Sequence, residues 1–286
     1  MFSRVERFAT VGSTNDIVRG WLADGVPEVC VAVADEQSTG RGRHGRTWSA
    51  PSGAALLLST GFRPAWLAPD RAWRLGASVA IAMADAAEDT AGLPVGAIRL
   101  KWPNDLVIET GGPRALLVGD LTPEAAAARL AAPLELHKLA GVLGESDGLG
   151  TDDPRVVVGI GINADWPATG FPPELAGTMT SLREASGGRP IDRGALLAGF
   201  LDRLEGRVEA LRAGFFDVGV WVDRQATTGR QVSLEGTGGA AAETVEALGV
   251  DAGSGALVIG DAAAPGGERR VLAGEVVRVR LSPAGV

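Results

Sequence analysis

The chain has 286 residues, 45% of them hydrophobic and 22% charged, so it can bury the core of one large domain with or without a small second one. A formal net charge of −8 argues against a nonspecific nucleic-acid binder, whose surface is usually basic. The single cysteine, Cys30, excludes a disulfide framework. The N-terminus lacks the apolar core of a signal peptide, and no apolar run could span a bilayer, so we expect a cytoplasmic protein without membrane contact.

The first 225 residues predict a domain of helices and strands. Capping residues and apolar residues at helical spacing predict helices over residues 13–24, 69–91 and 191–212. Short apolar runs predict strands at residues 29–34, 54–60, 98–102, 106–108, 139–143 and 155–162. Because strands and helices do not alternate regularly, we expect an α/β (α+β) fold with a mixed, largely antiparallel sheet flanked by helices.

After Trp221 the sequence changes character. Residues 226–286 alternate short β-like runs with turns rich in glycine, aspartate and proline. This pattern predicts a small β-barrel that follows the α/β domain. We therefore expect two domains, over residues 1–225 and 226–286.

Composition singles out a few polar residues. The 27 basic residues include only two lysines, Lys101 and Lys138, and the chain has only three asparagines, Asn15, Asn104 and Asn163. A biased genome that replaces lysine with arginine would spare lysine only where a planar guanidinium fails, because the two cations differ in shape and hydrogen bonding. The spared residues are therefore candidates for a functional site.

Residues 40–48 form a basic, glycine-rich loop, Gly-Arg-Gly-Arg-His-Gly-Arg-Thr-Trp. The spacing G-x-G-x-x-G matches a dinucleotide fingerprint, but that fingerprint needs a helix immediately after it, and the residues that follow are not helical in pattern. A basic surface loop is a second interpretation. We favour a third, an anion-binding loop, because glycines let the backbone wrap a ligand and arginines donate paired hydrogen bonds to carboxylate and phosphate oxygens.

Further segments carry candidate residues. The K-W-P-N-D segment at 101–105 could orient a divalent cation through its Asn and Asp, or could be an ordinary turn. Lys138 and Asn163 lie at the start and the end of predicted strands, and the S-T-N segment at 13–15 fits a helix N-cap, a ligand contact or both. The two histidines belong to no HExxH pattern and the chain has no G-x-S-x-G elbow, so hydrolase and zinc-enzyme functions have no support.

In this order, the segments S-T-N, E-Q-x-x-G-R-G-R-x-G-R-x-W, K-W-P-N-D, K-L-A-G-x-L and G-I-G-I-N resemble the bacterial biotin–protein ligases, or biotin–[acetyl-CoA-carboxylase] ligases. The resemblance runs from about residue 8 to the C-terminus. It implies a catalytic domain related to class II aminoacyl-tRNA synthetases and lipoate ligases, followed by a small SH3-like domain. It also implies a reaction in which biotin and MgATP form biotinyl-5′-adenylate, and a lysine of a biotin carboxyl carrier protein then receives the biotin.

The resemblance also assigns residues by motif. The implied biotin site comprises Ser13, Thr14, Asn15, Gln37, Gly40, Arg41, Gly42, Arg43 and Lys138. The implied ATP site comprises Arg43, Arg46, Trp48, Asn104, Asp105 and Asn163, with Asp105 as the magnesium ligand. Arg43 and Lys138 are the implied catalytic residues, at the reacting carboxylate and α-phosphate.

The sequence departs from the family pattern between Asp105 and Lys138, where 32 residues replace a short turn. This length predicts a surface insertion at about 109–137, and Lys138 would lose its implied role if the insertion displaced it. Twelve residues precede Ser13, too few for an N-terminal helix-turn-helix, so we expect no DNA binding. His44 is assigned no chemistry. The alternative functions are a lipoate–protein ligase and a non-catalytic vitamin- or nucleotide-binding regulator, and the protein could be a monomer or a homodimer.

Overall fold

The computed structural model describes residues 1–110, 122–124, 127, 134–236 and 242–281. Its helices are α1 (Thr14–Ala23), α2 (Trp73–Ala91), α3 (Leu182–Ala185), α4 (Arg193–Arg212) and α5 (Val218–Asp223). The three helices predicted from the sequence are confirmed within a few residues, whereas the short α3 and α5 were not predicted. Side chains of Ser181, Asp192 and Asp217 accept backbone N–H groups at the starts of α3, α4 and α5. No helix of the described part is both long and apolar enough to cross a membrane.

A mixed sheet of seven strands forms the larger β layer, in the order β1-β2-β3-β7-β6-β5-β4. Its strands are β1 (Arg4–Val11), β2 (Cys30–Gln37), β3 (Ala55–Phe62), β4 (Ile98–Lys101), β5 (Asp105–Thr110), β6 (Glu135–Asp147) and β7 (Arg155–Asn163). β1 runs parallel to β2, and the other neighbours are antiparallel, so the prediction of a mixed sheet flanked by helices is confirmed. The sequence did not predict β1, because charged residues interrupt its apolar positions at this edge of the sheet.

The sheet packs against different helices on its two faces, because alternate residues of a strand point to opposite sides. Val31 and Val33 of β2 face the main core, which also contains α2 and α4. Cys30 of the same strand faces α1. Gly61 allows α1 to approach closely, since a Cβ atom at that position would lie 2.6 Å from the side chain of Val18. This packing fixes the N-terminus of α1, where the S-T-N segment lies.

A second, antiparallel sheet follows in the order β11-β10-β9-β8-β12. Its strands are β8 (Arg230–Glu235), β9 (Glu243–Val250), β10 (Leu257–Gly260), β11 (Glu268–Val271) and β12 (Glu275–Leu281). Trp102 of the K-W-P-N-D segment joins the buried core of this sheet, and its Nε1 donates a hydrogen bond to Gly255 O at 3.1 Å. The turn that carries Asn104 and Asp105 is therefore anchored against the second sheet.

Buried ion pairs connect the segment that leads into the second sheet to residues of the larger domain. Glu109 of β5 lies 3.2 Å from Arg99 Nη1 and 3.0 Å from Arg230 Nη2, with nearly all of its side chain buried. Arg224 pairs with Glu88 of α2 at 2.8 Å. Because removal of one partner would leave a buried charge uncompensated, these pairs fix the path of the chain as it enters the second sheet.

The predicted insertion at 109–137 is narrower than expected. Thr110 pairs with Glu135, and Ile108 pairs with His137, so both ends of the predicted range belong to the β5–β6 ladder. The apolar and polar residues at the two ends of this range alternate too irregularly to predict strands. The alanine-rich sequence at 123–132 predicts a short helix within the insertion, and most of it lies outside the described residues.

Candidate functional site

A cavity opens where the N-terminus of α1, the arginine–glycine loop (Gly40–Trp48) and strands β5, β6 and β7 meet. It encloses about 780 Å³, including its open mouth. Twelve of the fourteen predicted site residues line it, namely Ser13, Thr14, Asn15, Gln37, Arg41, Gly42, Arg43, Arg46, Trp48, Asn104, Asp105 and Lys138. The other two, Gly40 and Asn163, lie outside its walls.

Thr14, Asn15 and Gln37 line one wall of the cavity with uncharged groups, and the buried Ser59 contacts two of them; we call these four residues the neutral wall. Thr14 donates to Gln37 Oε1 from its backbone N at 2.8 Å and from its hydroxyl at 3.0 Å. Ser59 Oγ lies 2.7 Å from Thr14 Oγ1 and 2.6 Å from Asn15 Oδ1. Ser13 occupies the N-cap position of α1, but its side chain makes no capping bond. Because these contacts link the four side chains, and Asn15 Nδ2 also donates to Glu145 Oε2 at 2.7 Å, their geometry is set within the protein itself.

Glycines form the floor of the cavity. A Cβ atom on Gly159 would overlap Asn15 Oδ1, and one on Gly161 would lie 2.6 Å from Trp48 Nε1. On the neighbouring strand, a Cβ on Gly141 would lie 3.1 Å from the Trp48 ring. The two glycines of the G-I-G-I-N segment were not predicted as site residues. The signal for the floor was the alternation of the two glycines, which places both on one face of β7.

The remaining wall carries charges, and we call its residues Arg43, Arg46, Asp105 and Lys138 the charged wall. Lys138 Nζ lies 2.6 Å from Asp105 Oδ1, while Lys101 Nζ lies 3.6 Å from the other carboxylate oxygen. Both of the chain's lysines therefore contact one carboxylate. The predicted insertion has not displaced Lys138 from the site.

The backbone of Lys138 is irregular. The β5–β6 register shifts so that Leu139 has no partner on β5, which is a β-bulge, and bulges change the direction of nearby side chains. Lys138 itself pairs with Val107 of β5, and its backbone N donates to Thr178 O at 2.8 Å while its O accepts from Thr180 N at 2.9 Å. Asn163 Nδ2 donates to Thr180 O at 2.8 Å. The structure thus places Asn163 beside the segment that supports Lys138, outside the cavity lining.

The second sheet completes the charged wall. Arg43 Nη1 lies 3.4 Å from Asn104 Oδ1 and 3.2 Å from Gly274 O, and Arg46 forms an ion pair with Glu275. Burial raises the pKa of the Glu275 carboxyl, but the hydrogen bond and charge of Arg46 outweigh it and leave the pKa below its usual value. Burial lowers the pKa of Arg43. Sequence analysis missed Glu275, because its surroundings indicate only a β-strand.

Arg41 differs from the other arginines of the loop. Its guanidinium makes two hydrogen bonds to the Asp16 carboxylate, at 2.7 and 2.8 Å, and lies 3.5 Å from Glu145 Oε1. The hydrogen bond from Arg41 lowers the pKa of Asp16, and the same bond raises the pKa of Arg41. Gly40 closes the base of the loop, where a Cβ would overlap Trp48 O. The charge of Arg41 is thus matched by carboxylates that sequence analysis did not single out.

The two walls together suit an elongated ligand with an uncharged polar head and an anionic end. Buried hydroxyl and amide groups can form hydrogen bonds with the head, and Lys138 and Arg43 can neutralise the anion. The described residues contain no cluster of three or more His, Cys, Asp or Glu that could hold a metal ion by themselves. A cation here would therefore need oxygens from a ligand in addition to Asp105.

Residues 8–163, more than half of the chain, match the model of the Biotin/lipoate A/B protein ligase family. A protein of Mycobacterium tuberculosis named biotin--[acetyl-CoA-carboxylase] ligase is 31% identical over 234 residues, which cover 81% of this chain and 74% of the relative. One of the same name from Paracoccus denitrificans is 29% identical over 267 residues, covering 89% and 92%. The chain spans about half the length of bifunctional ligase/repressor relatives, 48% for the Bacillus subtilis protein.

A solved structure has the same fold. Biotin protein ligase from Aquifex aeolicus, in complex with biotin and ATP, superposes with a TM-score of 0.72 at 24% identity, covering 98% of this chain and 100% of that chain. On the family match, on the relative from Mycobacterium tuberculosis and on the shared fold, this chain belongs to the biotin/lipoate A/B protein ligase family.

Proposed function

We propose that this protein is a biotin–protein ligase. It activates the carboxylate of biotin with MgATP, which forms biotinyl-5′-adenylate and pyrophosphate, and then transfers the biotin to a lysine of a carrier protein. The family match and two relatives named biotin--[acetyl-CoA-carboxylase] ligase support this function. The observation that carries it is a single cavity that joins a buried neutral wall to a wall of paired charges.

The neutral wall suits the ring system of biotin, whose ureido group is polar and uncharged. In this proposal Ser13, Thr14, Asn15 and Gln37 bind the ring system, and the glycine floor leaves room for it. The backbone of Gly40, Arg41 and Gly42 wraps the biotin carboxylate, since glycines allow close approach of a ligand.

The charged wall suits the triphosphate. In this proposal ATP is held by Arg43, Arg46, Trp48, Asn104, Asp105 and Asn163. Arg46 and Arg43 supply donors to phosphate oxygens, which paired guanidinium hydrogen bonds fit well. Asn163 lies outside the cavity walls, so it would affect ATP binding indirectly, by holding the Thr178–Thr180 segment.

Electrostatics set the main demand of the first step. A carboxylate must attack the α-phosphate, which brings two anions together, so both must be neutralised before the bond forms. Lys138 and Arg43 are the proposed catalytic residues, because cations fixed near the reacting atoms stabilise the charge of the transition state. Lys138 would exchange its contact with Asp105 for contacts with the reacting oxygens.

Magnesium fits the donor set of the charged wall. A Mg²⁺ ion that accompanies a nucleotide commonly takes one or two protein carboxylates and completes its shell with phosphate oxygens and water. Asp105 is the proposed protein ligand, and its carboxylate lies among the residues that would hold ATP. The ion would neutralise phosphate charge.

We further propose that the chain forms two domains with different roles. Residues 1–225 form a catalytic domain related to class II aminoacyl-tRNA synthetases, and residues 226–286 form an SH3-like domain. The separate buried core of the second sheet supports this division. The contacts of Gly274 and Glu275 with loop arginines support a role for the small domain in the active site.

The proposed acceptor is a biotin carboxyl carrier protein of an acetyl-CoA or related carboxylase, and the proposed location is the cytoplasm, where ATP and the acceptor occur together. The names of the two relatives support this class of acceptor. We also propose that the protein does not bind DNA, in keeping with its net charge of −8.

Mass spectrometry tests the function directly. A carboxyl-carrier domain incubated with this protein, biotin and MgATP should gain the mass of one biotin on one lysine. A carrier with that lysine replaced by arginine is the matched control and should gain nothing. Preferential transfer of lipoate in a competition with biotin would identify a lipoate ligase. Absence of pyrophosphate release with biotin and MgATP would leave only a binding function.

A further inference from the structure

Arg41 connects the arginine–glycine loop to two carboxylates outside it. Asp16 lies in the first turn of α1 and receives both guanidinium hydrogen bonds, and Glu145 lies in β6. A two-bond pair between guanidinium and carboxylate fixes orientation as well as distance. Arg43, in contrast, donates hydrogen bonds to two neutral oxygens within the described part of the chain, those of Asn104 and Gly274.

Glu145 extends the connection to the neutral wall. Its Oε2 accepts a hydrogen bond from Asn15 Nδ2 at 2.7 Å and lies 2.6 Å from Arg19 Nη2. Asn15 is buried and also contacts Ser59 through its other amide atom. A continuous series of polar contacts therefore runs from Arg41 in the loop, through Glu145, to the pocket proposed for the biotin ring system.

The other anchor of the loop lies at its far end, where Arg46 pairs with Glu275. Between the anchors the loop holds itself together, with Gly42 N donating to Arg46 O at 2.7 Å and Trp48 N donating to Gly40 O at 3.0 Å. Glycine-rich segments lose much conformational freedom when they order, so anchors outside the loop raise the population of the ordered form.

We propose that Asp16 and Glu145 are positioning residues that hold the arginine–glycine loop over the cavity and thereby set how long the acyl-adenylate is retained. This inference rests on the proposed function for the ligand, while the positioning of the loop rests on the contacts alone. The Arg41 side chain then acts as the link between loop and pocket wall, and its backbone is left to face the ligand. Because Glu145 also holds Asn15, binding in the neutral wall and closure of the loop depend on one carboxylate.

Asp16→Asn tests the proposal with little change of shape. In the protein without ligands, hydrogen–deuterium exchange of the peptide that contains residues 40–48 should become about two- to fivefold faster, the size expected for one exposed ion pair. Preformed biotinyl-adenylate should dissociate faster by a similar factor, about two- to fivefold. The single-turnover rate of adenylate formation should change by less than about twofold, because Asp16 does not contact the reacting atoms.

A double-variant comparison separates positioning from general destabilisation. Asp16→Asn and Arg41→Gln should each speed exchange and adenylate release, and because both remove the same ion pair, the double variant should be little faster than the faster single variant. Arg19→Gln is the matched control, since Arg19 contacts the same two carboxylates from outside the loop, and it should leave loop exchange unchanged.

Unchanged loop exchange in Asp16→Asn would overturn the proposal, as would an equal effect of Arg19→Gln or a double variant in which the two single effects add in full. If loop exchange responds as expected but the unmodified protein makes no adenylate from biotin and MgATP, the proposed function fails and the positioning of the loop stands.

Discussion

The two walls of the cavity satisfy their polar groups in different ways. In the neutral wall, Thr14, Asn15 and Ser59 are each less than 5% exposed and bond to one another or to Gln37. In the charged wall, Lys138 and Arg46 pair with carboxylates at partly exposed positions, and the Lys138 side chain is 35% exposed. The neutral wall is held by buried hydrogen bonds, among them that of Asn15 to Glu145, whereas the charged wall is held by partners that a ligand can replace.

This difference indicates how the site divides recognition from chemistry. A buried network with all members satisfied is rigid, and it rejects ligands that leave one of its groups unpaired. Lys138 can instead leave Asp105 and bind an arriving anion with little loss of free energy. The carboxylate or phosphate of the ligand then takes the place of the Asp105 carboxylate. Rigidity therefore belongs to the wall that selects the ligand, and exchange belongs to the wall that reacts.

Lys138→Met should have the largest effect, and it tests the charged wall. Loss of the cation should lower the rate of adenylate formation by on the order of 10²–10³, the effect of removing one donor to a developing charge. The KM for biotin should rise by a smaller factor than the rate falls, because the neutral wall is untouched. Pyrophosphate exchange at saturating ATP measures both quantities. A large rise in KM with an unchanged rate would place Lys138 in ligand recognition instead.

Gly159→Ala tests the neutral wall. The new Cβ would overlap Asn15 Oδ1 and force the amide out of its hydrogen bond. Overpacking of this kind usually costs about 1–3 kcal/mol of free energy. The KM for biotin should therefore rise by about ten- to a hundredfold, while the rate at saturating biotin should not change. Gly144→Ala is the matched control, since a Cβ there meets no atom within 4 Å. Equal effects of the two variants would mean that strand backbone, not the wall, is responsible.

Arg43→Gly should uncouple activation from transfer. Loss of its contacts to Asn104 and Gly274 should release biotinyl-adenylate about tenfold faster and label lysines of bystander proteins. Arg43→Lys keeps the charge without the planar fork and should give an intermediate release rate. Retention of adenylate by Arg43→Gly equal to that of the unmodified protein would contradict the assigned role of Arg43.

Glu275→Gln should have the smallest effect, a change in the free energy of unfolding that depends on pH. The pKa of Glu275 lies below the ordinary 4.5 because of Arg46, so the pair stabilises the folded protein above about pH 4.5, and that contribution is lost as the pH falls through the lowered pKa. Since more than half of the Arg46 side chain is exposed, the contribution should be at most about 1 kcal/mol. Urea unfolding at neutral and acidic pH should show a difference between the two proteins that shrinks with acidification. A difference in the free energy of unfolding that stays constant with pH would show that packing, not the ion pair, is responsible.

Sequence analysis was most successful where local pattern and local structure agree. The α2 and α4 helices and the strands around the K-W-P-N-D turn follow from hydrophobic spacing, which reflects a face buried against neighbours. The edge strand β1 and the end of the β5–β6 ladder next to the insertion escaped prediction, because their partners, not their own residues, make them strands. In the site, Asp16, Ser59, Glu145 and Glu275 were missed for the same reason.

The sequence by itself determined which chemistry was available: a glycine-rich loop of arginines, two lysines, three asparagines and their order along the chain. Only the tertiary structure decided how these groups are paired. It placed Arg41 on Asp16, Lys138 on Asp105 and Arg46 on Glu275, contacts that join residues up to 229 positions apart. The charge of a residue is fixed by its type, but the partner that neutralises it depends on which segments the fold brings within a few ångströms.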